Sequence, residues 1–218
     1  MPDIFDEVEE DLRAERAAQF WKRYGGVVAG AALLAVLGAG AWQGWAWYHQ
    51  RQVTAAAAAY LAADRDASAP GADLKAAGER FAELGRDSAG GYRTLARLRA
   101  AALKAETGDR DAALALWDQV ARDSEVDSLY RDLAALLFVL HSLDAPNADP
   151  AQLAARVAPL TEPGNPWRAS AQEVAALVAL KRGEREEARR MLQALAQDVT
   201  APQGVRGRAG RIAAELGG

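Results

Sequence analysis

The strongest pattern in the chain is an unbroken apolar stretch near its start. Residues 25–48 include no charged side chain, whereas Lys22 and Arg23 precede the stretch and Arg51 follows it. As an α-helix rising ~1.5 Å per residue it would be about 36 Å long, enough to cross a hydrocarbon layer of about 30 Å. Tryptophan and tyrosine side chains, which favour the membrane interface, cluster near both ends. The pattern predicts a transmembrane helix over 25–48.

Two other interpretations of this stretch compete with a membrane anchor. A cleaved signal peptide has a short basic leader and an apolar core of about 7–15 residues, whereas the leader here, 1–24, is long and acidic. A buried core helix fits the moderate hydrophobicity of an Ala- and Gly-rich segment, but it does not explain the aromatic residues at both borders. We therefore expect an anchor.

The distribution of basic residues predicts the orientation of that anchor. The leader carries four Lys and Arg residues, whereas the stretch 49–68 after the span carries only Arg51 and Arg65. Because the more basic flank stays in the cytoplasm, we expect a single-pass protein of the bacterial inner membrane, with residues 49–218 in the periplasm. The leader itself has the pattern of an acidic amphipathic helix capped by Asp3. It would either bind a basic partner surface or remain a solvated tail.

Beyond the span, apolar residues recur at helical spacing between short Gly- and Pro-rich breaks. The predicted helices cover 50–63, 73–84, 92–106, 109–122, 125–143, 151–160, 167–182, 185–197 and 204–216. A loop is expected at 85–91, and tight turns are expected at Gly108 and Gly183. Since Ala dominates and β-branched residues are sparse, the predicted fold class is all-α.

Two segments of this region repeat each other. The stretches that begin at Gly108 and Gly183 align without a gap: a glycine and an acid, then a small residue five positions after the glycine, then a large apolar residue four positions later. These residues resemble the second half of a tetratricopeptide repeat. A weaker copy lies upstream, at Ala77 and Phe81. The resemblance implies a TPR-like α-solenoid of about four helical hairpins plus a C-terminal capping helix.

The composition and the motifs of the chain argue against several classes of function. The chain has no cysteine and two histidines, which leaves no thiolate metal site and no candidate for a His-based triad. Neither a phosphate-binding glycine loop nor a nucleophile elbow is present. A net charge of −4 does not suggest a nucleic-acid partner. We expect a non-enzymatic protein without metal or cofactor.

The order of segments, together with the sequence GWAWYHQ at 44–50, resembles the YfgM-type proteins. This resemblance implies an ancillary subunit of the Sec translocon that works with a membrane-anchored periplasmic chaperone. Newly exported proteins would be its clients. A scaffold for division, outer-membrane biogenesis or cytochrome maturation is the alternative, because it would use the same anchor and the same repeats.

The repeat register indicates which residues would contact partners. First helices of TPR hairpins line the peptide-binding face of the array. The expected partner-binding groove is formed by Leu95, Leu98, Ala102, Asp132, Ala135, Val139, Glu173, Leu177 and Leu180. Small residues along the span would let a second helix, from this chain or another protein, approach closely. The expected packing positions are Gly26, Gly30, Gly40 and Gly44.

Overall fold

The computed structural model of the protein describes residues 4–88 and 90–217, so the predicted cap Asp3 lies outside the described residues. Every regular element in these residues is helical, which confirms the all-α class. The α-helices are α1 (Ile4–Ala67), α2 (Leu74–Asp87), α3 (Gly90–Glu106), α4 (Arg110–Arg122), α5 (Ser128–Ser142), α6 (Pro150–Val157), α7 (Arg168–Lys181), α8 (Arg185–Gln197) and α9 (Gln203–Gly217). The chain divides into two compact units, Met1–Gln52 and Val53–Gly218.

The first unit consists of helix α1 up to Gln52, and its apolar side chains face outward. Leu33 and Leu34 are 60% and 71% exposed. The apolar part of α1 lies within the segment Trp21–Ala67, and it is long and apolar enough to cross a membrane. Insertion into a membrane would remove these apolar side chains from water, where their exposure is unfavourable.

The second unit is an array of helical hairpins. Residues 53–67 of α1 pair with α2, α3 with α4, α5 with α6, and α7 with α8, after which α9 follows as a terminal helix. Consecutive helices from α2 to α9 contact each other. The first helices of successive hairpins also lie side by side, because α3 contacts α5, α5 contacts α7 and α7 contacts α9.

Local sequence fixes where several helices begin. The carboxylates of Asp73, Asp127 and Asp149 accept hydrogen bonds from backbone N–H groups in the first turns of α2, α5 and α6. Such caps satisfy donors that would otherwise have no partner in the helix. The predicted start of the helix 125–143 is therefore wrong, because Asp127 caps a helix that begins at Ser128.

Four apolar clusters form the core of the array. Their largest fully buried side chains are Phe81, Leu103, Trp117, Val120, Val139, Val157, Val178 and Leu192. Alanine fills much of the remaining space, since Ala96, Ala100 and Ala101 on α3 are all 0% exposed. A side chain without rotamer freedom allows helices to pack closely at little entropic cost.

Helix α2 ends later than its sequence predicts. The sequence predicts a loop from Gly85, but α2 continues to Asp87 and Gly85 is buried inside it. A Cβ at Gly85 would lie 2.8 Å from Cγ of Arg97 on α3, and the Gly85 carbonyl accepts a hydrogen bond from Nε of Arg97. This glycine permits a close approach between two helices, so it does not break the helix that contains it.

The predicted helix 151–160 is divided in the structure. Helix α6 ends at Val157, and a 3₁₀ helix spans Ala158–Thr161. Pro159 has no backbone N–H, so it cannot donate the hydrogen bond that would continue the α-helix. The tighter turn still buries Leu160, which is 5% exposed.

Candidate protein-interaction site

The two predicted tight turns have the same backbone geometry. Gly108 and Gly183 have φ angles of +87° and +84°. The backbone N–H that follows each glycine donates to a carbonyl five positions earlier, from Asp109 to Lys104 at 2.8 Å and from Glu184 to Ala179 at 2.9 Å. These bonds form a Schellman motif, which favours glycine at the left-handed position. The prediction of two equivalent turns is confirmed.

The small and large residues that follow each turn occupy equivalent places in the core. Ala113 and Ala188 are both 0% exposed, while Trp117 and Leu192 are 1% and 0% exposed. The upstream copy agrees in part, because Phe81 is fully buried but Ala77 is only half-buried. A small residue lets the second helix of the hairpin approach the first, and the large residue then fills the space beside it.

A further element of the repeat lies just after the second helix of the hairpin α3–α4. The carboxylate of Asp123 accepts a hydrogen bond from the N–H of Glu125 at 3.1 Å and another from Nη1 of Arg97 at 2.9 Å. These bonds, first that from Glu125 and then that from Arg97, hold the pKa of Asp123 below its usual range. Asp123 thus fixes the loop after α4 to the first helix of the same hairpin.

The hairpin α7–α8 has the same device at the equivalent point of its own sequence. Asp198 accepts hydrogen bonds from the hydroxyl and the N–H of Thr200 at 2.6 and 2.9 Å, and from Nη2 of Arg168 at 2.8 Å. The bonds from Thr200 lower the pKa of Asp198 most, and Arg168 adds to this effect. The sequence interpretation missed this pair, although Asp123 and Asp198 share the spacing of the two turn glycines.

The family comparison agrees with this geometry. Residues 18–208 match the model of the tetratricopeptide repeat-like domain family. The chain belongs to this family. No curated protein and no solved structure matched the chain. For a tetratricopeptide repeat-like protein, the array is expected to act as a scaffold for protein–protein interaction.

The equivalence of the two copies extends across three helices. We call α3, α4 and α5 module 1, and α7, α8 and α9 module 2, and we pair their residues by the interval that separates Gly108 from Gly183. This interval pairs Ala134 in α5 with Ala209 in α9, and both are 0% exposed. The terminal helix α9 of this tetratricopeptide repeat-like domain therefore occupies the position of a first helix.

Several predicted groove residues are accessible on the first helices. Ala102 is exposed, and the residues that are half-buried are Leu95, Leu98, Asp132, Ala135, Leu177 and Leu180. Leu98 packs against the cluster that contains Trp117, and Leu180 packs against the cluster that contains Leu192. We call the accessible side chains of Leu95, Leu98, Ala102, Leu177 and Leu180 the first-helix face. Leu98 and Leu180 thus combine a packing role with accessible surface.

Two of the predicted groove residues have little or no free surface. Val139 is 0% exposed and packs in the core, so the expectation that it lines a groove is wrong. Glu173 is 8% exposed, and both of its carboxylate oxygens accept hydrogen bonds from Arg208 of α9 at 2.8 and 2.7 Å. This pair raises the pKa of Arg208. Glu173 is thus committed to a contact inside the domain.

Asp132 is also engaged by the chain itself. Its carboxylate accepts a hydrogen bond from the side-chain amide of Asn165 at 2.8 Å, and Asn165 accepts one from the N–H of Trp167. The indole N–H of Trp167 donates to the carbonyl of Leu129 at 2.9 Å. These bonds join the loop before α7 to the start of α5, which makes Asp132 a structural anchor of that loop.

The glycines of the apolar helix lie on an open surface of the first unit. A Cβ built at Gly26, Gly30, Gly40 or Gly44 would meet no atom within 4 Å. Each position has the space that close packing with a second helix requires.

His141 lies beside the largest buried side chain of module 1. Its ring stacks on Trp117 with the ring centroids 4.5 Å apart. Burial lowers the pKa of His141, and the charge of Arg110 lowers it further. Among the described residues no group of three or more His, Cys, Asp or Glu side chains is arranged to hold a metal ion.

Proposed function

We propose that the protein is a membrane-anchored, non-enzymatic scaffold that binds other proteins through its tetratricopeptide repeat-like domain. The observation that carries this proposal is the half-buried first-helix face on an array whose core is otherwise well packed. Such a face offers apolar surface to a partner without unfolding the array. The apolar helix of the first unit would hold the scaffold at the membrane.

The charge distribution supports a specific topology. Lys22 and Arg23 lie directly before the apolar stretch, and basic residues are sparser after it. We therefore propose a single-pass protein of the bacterial inner membrane, with a cytoplasmic N-terminus and a periplasmic repeat domain. The glycine face of the span would pack against a helix of a membrane partner or of a second copy.

For the partners, we propose Sec translocon subunits and a membrane-anchored periplasmic chaperone, with newly exported proteins as clients. The support is the layout of segments and the residues 44–50, which resemble YfgM-type proteins. An apolar first-helix face suits unfolded client segments or the apolar strip of a folded partner. A scaffold in another envelope assembly process would use the same surfaces with different partners.

Site-specific photocrosslinking in the native organism tests this proposal. Photoreactive residues are placed at Gly30 and Gly44 in the span, and at Leu98 and Leu177 on the first-helix face. Mass spectrometry then identifies the adducts. We expect Sec subunits or an anchored chaperone from the span, and exported proteins from Leu98 and Leu177.

Matched control probes make the result specific. Ala35 lies on the opposite side of the apolar helix from Gly30, and Ala155 is an exposed residue on the second helix α6. Both controls should give fewer of the same adducts. If division or cytochrome-maturation proteins dominate and no Sec component is recovered, the translocon assignment is wrong and the general scaffold remains. Equal yields from control and test probes would contradict the proposal that the glycine face and the first-helix face bind the partners.

A further inference from the structure

Module 2 has an open groove between its second and third helices. The groove has a volume of about 620 Å³. It is lined by Arg189, Gln193, Ala196, Gln197, Gly210, Ala213, Ala214 and Gly217. None of these residues is acidic, and all of those on α9 are glycine or alanine. Among the described residues of the second unit, no helix lies over this groove.

In module 1 a helix lies over the equivalent surface. The positions in module 1 that correspond to Ala213 and Ala214 are Phe138 and Val139 on α5. Val139 is 0% exposed and packs in one cluster with Leu153 and Val157 of α6, whereas Ala214 is exposed. The groove of module 2 is therefore the place that α6 occupies on module 1.

Helix α6 shows what kind of element fits this place. Its residues Leu153 and Val157, one helical turn apart, supply the apolar contact. Its Arg156 forms an ion pair with Asp118 of α4 at 2.7 Å and lies over the ring of Phe138 at 3.8 Å. An amphipathic helix with one charged side chain at the border is thus the natural occupant.

The residues that line this place in module 2 include no acidic side chain, whereas module 1 has Asp118 there, paired with Arg122 and Arg156. The equivalent of Asp118 is the neutral Gln193, and the equivalent of Leu114 is Arg189. Arg206 lies one turn before Gly210 on the same face of α9, so a basic residue stands near each end of the groove. Its equivalent in module 1, Arg131, is also basic, so the two modules differ at Asp118 and Leu114 and not at this position.

Both arginines have unused hydrogen-bonding capacity. The Nε atoms of Arg189 and Arg206 are buried and have no hydrogen-bond partner within residues 4–88 and 90–217. A guanidinium that is not fully paired favours a carboxylate partner, which its outer nitrogens can reach. Arg189 pairs with Glu186, whose carboxylate lies 3.7 Å from Nη1 and is 70% exposed.

We propose that the groove between α8 and α9 is a docking site for an acidic amphipathic helix of a partner protein, seated as α6 is seated on α4 and α5. An aliphatic pair one turn apart contacts Ala213 and Ala214, and carboxylates at the border meet Arg189 and Arg206. The site is separate from the first-helix face, so it does not depend on the function proposed above.

A tethered helix tests the site in the full-length protein. A second copy of the segment 148–161 is joined after Gly218 by a flexible Gly/Ser linker of about 15 residues, which spans about 20 Å. One version carries Gln152→Glu and Arg156→Glu in this added copy, and the matched control version keeps the original residues. Tethering raises the local concentration of the helix to about the millimolar range, so that even weak docking is detected.

Docking is measured as protection of a single thiol. The chain has no cysteine, so Ala214→Cys provides one reporter in the groove, and Ala155→Cys provides a reporter outside it. We expect the acidic helix to slow maleimide labelling of Ala214→Cys about fivefold relative to the control helix, as a millimolar local concentration allows. Labelling of Ala155→Cys should be the same with both helices.

Three outcomes would overturn the proposal. Equal labelling of Ala214→Cys with both helices would show no preference for an acidic occupant. Protection that persists in Arg189→Gln and Arg206→Gln variants, with an unchanged circular dichroism spectrum, would show that the arginines are not the recognition groups. Protection that rises with protein concentration in the absence of any added helix would assign the groove to a second copy of this chain.

Discussion

The two modules of the repeat array, α3–α5 and α7–α9, share their backbone features but differ in the side chains between helices. Each has a left-handed glycine in its turn, a fully buried alanine, and an aspartate that accepts hydrogen bonds from the loop and from an arginine. These parts determine how each hairpin is built. They are the parts that a repeat has to keep, because few other residue types fit their backbone geometry or close contact.

The side chains that face a neighbouring helix change together. Trp117 and His141 stack in module 1, and their equivalents in module 2 are Leu192 and Leu216, which share one apolar cluster. Thus the same place between the second and third helices is filled once by an aromatic stack and once by two leucines.

The largest expected effect on stability comes from removing the side chain that fills the space between the second and third helices of a module. Trp117→Ala should lower the free energy of unfolding by about 4 kcal/mol and Leu192→Ala by about 3 kcal/mol, since the larger side chain leaves the larger cavity. Hydrogen exchange measured by mass spectrometry on the full chain in detergent can follow each module separately. Exchange should rise most in α4 and α5 for the first variant and in α8 and α9 for the second. Equal loss of protection in both modules would show that they unfold as one unit.

The next largest effect on stability is expected from the ion pair between Glu173 and Arg208, which module 1 lacks. The equivalents of Glu173 and Arg208 are Leu98 and Leu133. Arg208→Leu leaves the carboxylate of Glu173 buried without its partner, and we expect a loss of about 2 kcal/mol, reduced because Arg208 is half exposed. The double variant Glu173→Leu with Arg208→Leu reproduces the leucines of module 1 and should recover most of that loss.

Chemical denaturation of the two single variants and the double variant measures this coupling. Glu173→Leu alone should cost less than Arg208→Leu, because a free arginine at this position still reaches water. A double variant that is as unstable as Arg208→Leu would show that the ion pair, and not the avoidance of a buried charge, is what α9 requires.

The backbone features of the two modules could be predicted from the sequence better than the contacts between their helices. Gly108 and Gly183 predict the turns, and the Ala and large residues after them predict the buried pairs, because each depends on a few neighbouring positions. The loop predicted at Gly85 is wrong for the opposite reason: this glycine lets Arg97 approach from another helix, and nothing in the neighbouring sequence indicates that contact.

The candidate site was predicted only in part, because contacts with distant parts of the chain decide which of its residues stay accessible. Repeat register assigns a residue to a first helix, but it does not tell how far the side chain is covered. Val139 is buried because α6 lies over it, and Glu173 is occupied because Arg208 comes from a helix much later in the chain. Leu95 and Ala102 keep accessible surface. Which residues remain free depends on the neighbouring hairpin and its side chains.

A smaller effect is expected from the two aspartates, and it depends on pH. Because the pKa values of Asp123 and Asp198 are lowered in the fold, each stabilises the protein above its ordinary pKa, and this stabilisation is lost as the pH falls through the lowered pKa. Asp123→Asn and Asp198→Asn keep an acceptor for the loop N–H but remove the charge. The melting temperature of each variant should lie below that of the wild type at neutral pH and approach it as the pH falls below about 4. A difference that stays constant down to about pH 2 would contradict the role of the charge.

The smallest effect distinguishes the aromatic stack of module 1 from the leucines of module 2. The pKa of His141 is lowered by burial and by Arg110, against a smaller opposing effect of Asp144. The unfolded chain therefore binds a proton more readily than the folded one, so stability falls as the pH drops below the ordinary histidine value of about 6.5. His141→Leu gives module 1 the residue that module 2 has at position 216, and it should flatten the dependence of the melting temperature on pH between about 6.5 and 5. The variant isolates one cause, because a neutral leucine keeps the apolar contact with Trp117 and removes only the titrating ring. If the slope is unchanged, the acid sensitivity in this range comes from other groups, and the stack of Trp117 and His141 differs from the two leucines in shape alone.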